Sequence, residues 1–331
     1  MTNEERTPTI SDRMTGALVG MAIGDALGLV GESPLAKRPI TGYEPVRDAS
    51  GATIVESGQF SAHTELALCL AESAISGGGF VDPVTAGYRF AQVLRSEHAH
   101  LVDPMSKAAL ERAIESGDFQ AGLCDGGPVN ADPAARIAPI ALIHGLGSAN
   151  PQLFIREVMR STLITHSDPL AVNGALAMAY ALNRVVRRET DPEVLVPEVL
   201  GFIDEDEAAR RLREIELLPE GDDAETVAAG VATLNRDGSI ADAIATAMYI
   251  FSRLGSSFEA TVLAAAAAGP ASAAIGAMAG ALSGGWVGAR DIPNRLVEGL
   301  DGRTYLLMAA PALYRTAQRR AGFYLQLHQR V

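Results

Sequence analysis

Between Ala260 and Ala289 the chain carries no charged side chain. Within this run Gly276, Gly280, Gly284 and Gly288 recur every four residues, which sets them as one stripe along a helix. A stripe without side chains lets a second backbone approach more closely than ordinary helix packing allows. The run is mostly Ala and Gly, is interrupted by Gly269-Pro270, and has no cationic flank on its N-terminal side. Leu-poor stretches of that kind partition weakly into hydrocarbon, so the run reads as a central packing helix rather than a membrane span.

A helix buried on every side needs a large core around it. The 331 residues, 48% of them hydrophobic, supply one, and global disorder is excluded. With 40 acidic against 27 basic residues the net charge is −13, which argues against nucleic acid and against anionic membrane surfaces as partners. The acidic excess gathers in the segment 202–225, which reads as a solvated face. Cys69 and Cys124 form no CxxC pair, and Cys69 lies in an apolar helical pattern as a buried small hydrophobe. The opening "MTNEERTPTISDR" lacks the cationic start and apolar run of a secretory signal, and a reduced, cytoplasmic setting is expected.

Helix starts are written as Asx-Pro pairs at Asp82-Pro83, Asp103-Pro104, Asp132-Pro133, Asn150-Pro151, Asp168-Pro169 and Asp191-Pro192. In each, the side-chain oxygen can accept from a first-turn N–H, and proline occupies a position whose own N–H the helix does not use. Gly117 and Gly145 mark stops. "ATIVES" (52–57) is the one short β-like run. The pattern predicts an all-α, compact, single-domain bundle of about a dozen helices over residues 10–331, preceded by a loose tail at 1–9.

Four segments in order carry a resemblance. They are "GALVGMAIGDALGLVGE" (16–32), "GQFSAHTELALCLAESAI" (58–75), "RIAPIAL" (136–142) with "THSDPLAVNGALAMAYAL" (165–182), and "GPASAAIGAMAGALSGGWVGARDIP" (269–293). Together they resemble the ADP-ribosylglycohydrolase family, which implies an all-α fold and hydrolysis of glycosidic bonds to ADP-ribose. The resemblance further implies two magnesium ions between a Thr-Asp-Asp-Thr turn and a Gly-Asp-x-Asp-Thr turn. Magnesium is a hard cation that prefers oxygen ligands, and a pair of ions needs several carboxylates.

Counted against that pattern, the first turn reads Ser61-Ala62-His63-Thr64 and the second Gly269-Pro270-Ala271-Ser272-Ala273-Ala274. None of the four aspartates is present, and Ala271 and Ala273 stand in two of their places. The expectation is therefore no metal and no other cofactor. Asp25 and Glu32 fall where the family has its Gly-Asp and following glutamate, near the reacting ribose. With His63 they are the candidate acid–base residues. Ser61, Thr64, His166, Ala271 and Ser272 are candidate ligand contacts. Gly126, Gly127 and Asn130 occupy an altered phosphate-approaching loop and complete that set.

Each of these residues also has a structural reading. Asp25 can tie helices together, Glu65 can serve the dipole of its helix, and His63 and His166 can satisfy local backbone or side chains. Arg136 is expected to pair with Asp132 four residues earlier. The favoured function is a binding or regulatory module for a nucleotide- or ribose-like ligand or a protein partner. A metal-independent glycosidase or transferase on the same pocket and a structural subunit with a closed pocket are the alternatives.

Overall fold

The computed structural model describes residues 7–118, 129–148 and 150–328. The order begins α1 (Ile10–Glu32), β1 (Val46–Arg47), β2 (Thr53–Val55), α2 (Ala62–Ser76), α3 (Pro83–Val93) and α4 (Pro104–Ser116). It continues α5 (Asp132–Ala135), α6 (Ala138–Ile143), α7 (Pro151–Thr162), α8 (Pro169–Arg187), α9 (Leu195–Leu200) and α10 (Glu207–Glu214). The last six are α11 (Ala224–Leu234), α12 (Ile240–Leu254), α13 (Phe258–Ala266), α14 (Ser272–Val287), α15 (Asn294–Glu298) and α16 (Arg303–His328). The fold is all-α, as its sequence predicts. The helices number sixteen among the described residues rather than a dozen, because α5, α6, α9 and α15 are pieces of only four to six residues. β1 and β2 form a single antiparallel pair.

Two helices make the axis of the bundle. α1 runs antiparallel to α14, and Gly16, Gly20 and Gly24 lie against Gly284, Gly280 and Gly276 in turn, with Gly28 against Ser272. A Cβ placed on Gly24 would stand 1.9 Å from the carbonyl oxygen of Gly276, and one on Gly276 would stand 2.0 Å from that of Gly24. The two backbones are thus in direct contact, with no side chain between them. Gly288 is not part of this stripe. It ends α14 at φ +87°, where a Cβ would meet Asp12.

Around the pair, Met14, Leu18, Ile23 and Leu27 of α1 and Ile275, Met278 and Leu282 of α14 are all buried. α1 is the one described helix long and apolar enough to cross a membrane, and 94% of its apolar window is buried inside the protein. The uncharged 260–289 run is not one helix but α13 and α14, broken at Gly269-Pro270.

Four of the six expected caps form. Asp82, Asp103, Asn150 and Asp168 each accept a first-turn N–H with proline at the helix start. The other two are corrections. Asp132 lies inside α5 and its carboxylate is engaged elsewhere, while the chain after Asp191 makes a turn and α9 begins only at Leu195. Gly117 ends α4 at φ +70°, and Gly145 follows the end of α6. Thr9 caps α1, while residues 1–6 of the expected tail lie outside the described residues, as does Cys124. Cys69 is half-buried, and burial pushes its thiol up to about 12.

Candidate functional site

The C-terminal half of α1 meets the first turns of α2 and α14, and this junction gathers the chemistry. Asp25 is wholly buried. Its Oδ2 accepts from the Ser61 N–H at 3.1 Å, the Thr64 N–H at 3.1 Å and the Thr64 hydroxyl at 2.6 Å. The carboxyl therefore binds the start of α2 from outside the helix, where unpaired N–H groups and the helix dipole favour a negative charge. Its Oδ1 has no partner, and burial raises its pKa above the ordinary carboxyl value although His63 and these bonds oppose the rise. Ser61 is itself the side-chain cap of α2, accepting from the His63 N–H.

Glu32, the last residue of α1, reaches across to α14 and accepts the Ala273 N–H at 3.0 Å. α14 has no side-chain cap of its own, so Glu32 supplies one from a distant part of the chain. Ala271, just before α14, sits at φ +57°, a left-handed conformation that glycine, asparagine and aspartate adopt more readily than alanine. Ser272 is buried and donates its hydroxyl to the Gly28 carbonyl at 2.9 Å. Glu32 keeps an exposed edge, yet the protein packed around it raises its pKa by desolvation, against the Ala273 bond and His63.

His63 is the positive centre of the junction. Its Nδ1 donates to Asp132 Oδ1 at 2.8 Å, and its side chain is 18% exposed. Burial alone would lower its pKa, but the bond to Asp132 and the charges of Asp132, Asp25 and Glu32 outweigh burial and raise it to about 9. At neutral pH His63 is an imidazolium among three carboxyl groups.

Asp132 is the hub behind it. Besides His63 it accepts from Arg136 at 2.8 Å, the expected pair, and from the Ser106 hydroxyl. Burial would raise its pKa, but Arg136 and His63 hold it well below the usual range. Asn130 extends the network. Its amide donates to Asp103 at 2.7 Å, and its oxygen accepts from the Asp132 N–H at 3.0 Å and pairs with His166 Nε2 at 3.1 Å. His166 Nδ1 lies 2.8 Å from the Thr165 hydroxyl, to which Arg136 also donates. Burial and Arg136 together push His166 down to about 4, so it is neutral at pH 7.

The structure thus brings Asp25, Glu32, Ser61, His63, Thr64, Asn130, His166, Ala271 and Ser272 into two adjoining sets, linked through Asp132. Gly126 and Gly127 lie outside the described residues. Glu65, read as a dipole partner, also bonds His98 at 2.8 Å. Asp103, Ser106, Asp132 and Thr165 were missing from the sequence-derived site. Asp103 and Asp132 each carry an Asx-Pro signal that points to a cap and conceals the second role.

A family profile described as ADP-ribosylglycohydrolase matches residues 6–322. The chain belongs to the ADP-ribosylglycohydrolase family. ADP-ribosylhydrolase ARH3 of Homo sapiens is 24% identical over 93% of this chain and 94% of its own length. ADP-ribosylarginine hydrolase Tri1 of Pseudomonas putida is 25% identical over 92% of this chain and 78% of its own. The uncharacterized protein YegU of Escherichia coli is 30% identical, but the match spans only about half of each chain, 54% and 56%. A solved structure titled "ADP-ribosylglycohydrolase-related protein complex" superposes with a TM-score of 0.71 at 28% identity, over 93% of this chain and 99% of that one.

The family's metal pair can be tested against the residues at the junction. No three His, Cys, Asp or Glu side chains converge as a metal site among the described residues. Glu32 already holds an N–H, and Asp25 is sealed from solvent and bound to Thr64. The imidazolium of His63 would repel any cation brought beside them. This donor set does not fit a pair of magnesium ions.

Proposed function

We propose that this ADP-ribosylglycohydrolase-family protein works without a metal pair, as a binding or regulatory module for a nucleotide- or ribose-like ligand such as ADP-ribose, in the cytoplasm. The observation that carries this reading is His63. At a position where the family resemblance implies a carboxylate ligand, the chain has a side chain held cationic by Asp132, Asp25 and Glu32. Its charge balances the carboxyl groups internally, in the place where metal ions would otherwise do so. The exposed edge of Glu32 offers an acceptor to a ribose hydroxyl, and the imidazolium of His63 offers a cationic donor to a ribose or diphosphate oxygen.

Calorimetric titration with ADP-ribose in the presence of EDTA tests the reading. Saturable binding, weakened at least tenfold by His63→Ala, is the expected result, together with no turnover of ADP-ribosyl-arginine or ADP-ribosyl-serine substrates. Absence of binding, or binding that requires a divalent metal, overturns it. A second reading, metal-free hydrolysis, has one observation in its favour: Glu32 combines a raised pKa with solvent access, as a general acid requires. Turnover in EDTA that Glu32→Gln abolishes without lowering the melting temperature would establish it.

A further inference from the structure

The far end of the α1–α14 pair holds a second feature unrelated to the junction at Glu32. α14 has 16 residues, so it spans roughly 24 Å from end to end. There a groove of about 510 Å³ is lined by Arg188, Ser257, Phe258, Glu259, Trp286 and Asp291, among others. The Arg188 guanidinium lies over the Trp286 ring at 3.8 Å from its centroid and donates to the Trp286 carbonyl. Its Nε is buried without a partner; Arg188 makes no ion pair among the described residues, and Asp191 is the carboxylate whose charge acts on it.

The buried guanidiniums of Arg136, Arg211 and Arg320 each pair with a carboxylate. Arg13, on which the charge of Arg188 acts, has only carbonyl hydrogen-bond partners, Val186 and Pro8. In a protein of net charge −13, Arg188 lines this groove with no ion pair among the described residues, while Arg13, outside the lining, donates to the carbonyl of Pro8, which is part of it.

The backbone adds a second, independent sign. Arg188 ends α8 at φ +56°, a left-handed position that glycine or asparagine occupies with less strain. Non-glycine residues held there cluster at ligand sites, where the surrounding structure enforces the conformation. Ser257 and Phe258, which open α13, line the same groove, and Ser257 makes no side-chain cap bond. A first helical turn left uncapped favours an anion near its N–H groups. Of the acids nearby, Glu259 is paired with Arg295, and Asp12 lies 3.7 Å from Arg290. Asp291 has no such pair among the described residues.

We propose that this groove is a binding site for a small anion bearing a phosphate or carboxylate group, with Arg188 as its principal donor and Trp286 as its apolar wall. Asp291 limits affinity by repulsion, so Asp291→Asn strengthens binding.

Trp286 is the only tryptophan in the chain, which makes its emission a direct report on the groove. The full-length protein is titrated separately with inorganic phosphate and with citrate at constant ionic strength, using chloride as the reference. A saturable change with either anion, weakened at least tenfold in Arg188→Gln and strengthened in Asp291→Asn, upholds the site. The tighter of the two anions identifies the group it takes. Arg188→Asn, which suits the left-handed backbone, should keep the melting temperature while losing the response, and so separates ligand binding from folding. No saturable change with either anion, or a saturable change that Arg188→Gln and Arg188→Asn leave as strong as in wild type, overturns the proposal.

Discussion

The contact between Gly24 and Gly276 makes a severe demand on sequence, and Gly24→Ala tests it. In isolation the substitution should help, because alanine exceeds glycine in helix propensity by about 1 kcal/mol. In place, the new methyl would stand 1.9 Å from a backbone oxygen, where ordinary contact begins near 3.4 Å. The obstacle is the opposing backbone rather than the end of a flexible side chain, so α1 and α14 must separate by about 1 Å or more along the axis of the bundle. Overpacking that a side chain can relieve costs about 1–3 kcal/mol, and a clash between backbones belongs at or beyond the top of that range. A net loss of about 3 kcal/mol is expected after the gain in propensity, a large part of the roughly 5–15 kcal/mol that stabilises a typical fold. Urea unfolding reads it as a lower midpoint with an unchanged slope. The double variant Gly24→Ala/Gly276→Ala should cost less than the sum of the two singles, since the separation forced by one methyl also makes room for the other. A single variant that loses under 1 kcal/mol, or gains stability, would refute the claim that the helices touch through their backbones.

Two further predictions follow from the site. His63 has a folded-state value of about 9 against an ordinary 6.5, so its stabilisation is complete below pH 6.5 and is lost as pH rises through 9. His166, depressed to about 4, acts on the other side, and stability falls as the unfolded chain takes up the proton between pH 6.5 and 4. Urea midpoints should therefore peak near pH 6.5, with His63→Gln flattening the alkaline limb and His166→Gln the acid limb; an alkaline limb unaltered by His63→Gln would remove the imidazolium from the account. Ala271→Gly should raise stability by about 0.5–1 kcal/mol, read as an increase in melting temperature, because it relieves the left-handed alanine at φ +57°; a decrease would show that the alanine methyl packs usefully there.

Much of this was legible in residues alone. The Asx-Pro pairs located four helix starts because the signal is local: an oxygen and a proline act on the turn that follows them. At Asp132 the same signal misled, since Arg136, His63 and Ser106 compete for that carboxylate and two of them come from other helices. The stripe in α14 foretold a close partner without naming it. The partner's own stripe, Gly16, Gly20, Gly24 and Gly28, has the same spacing and was available to the same argument. The site was legible as a set of positions but not as a network. Nothing in sequence spacing places His63 against Asp132 across 69 residues, and that bond decides the charge of the junction. Arg188 and Trp286, 98 residues apart, gave no sequence signal at all.

In the proposed reading, the junction has exchanged a metal pair for an internal imidazolium. The most direct test is a magnesium titration followed by melting temperature, run on the wild-type chain and on Ala62→Asp/His63→Asp/Ala271→Asp/Ala273→Asp. A ligand that binds only the folded state raises the melting temperature in proportion to its affinity. The left-handed backbone at 271 is suited to aspartate, and the first turns of α2 and α14 already adjoin through Asp25 and Glu32. Without metal the four-aspartate chain should melt lower than wild type by carboxylate repulsion, and magnesium should recover much of that loss, while wild type shows no response. A wild-type melting temperature that rises saturably at micromolar magnesium, with the rise abolished by Glu32→Gln, would contradict the account.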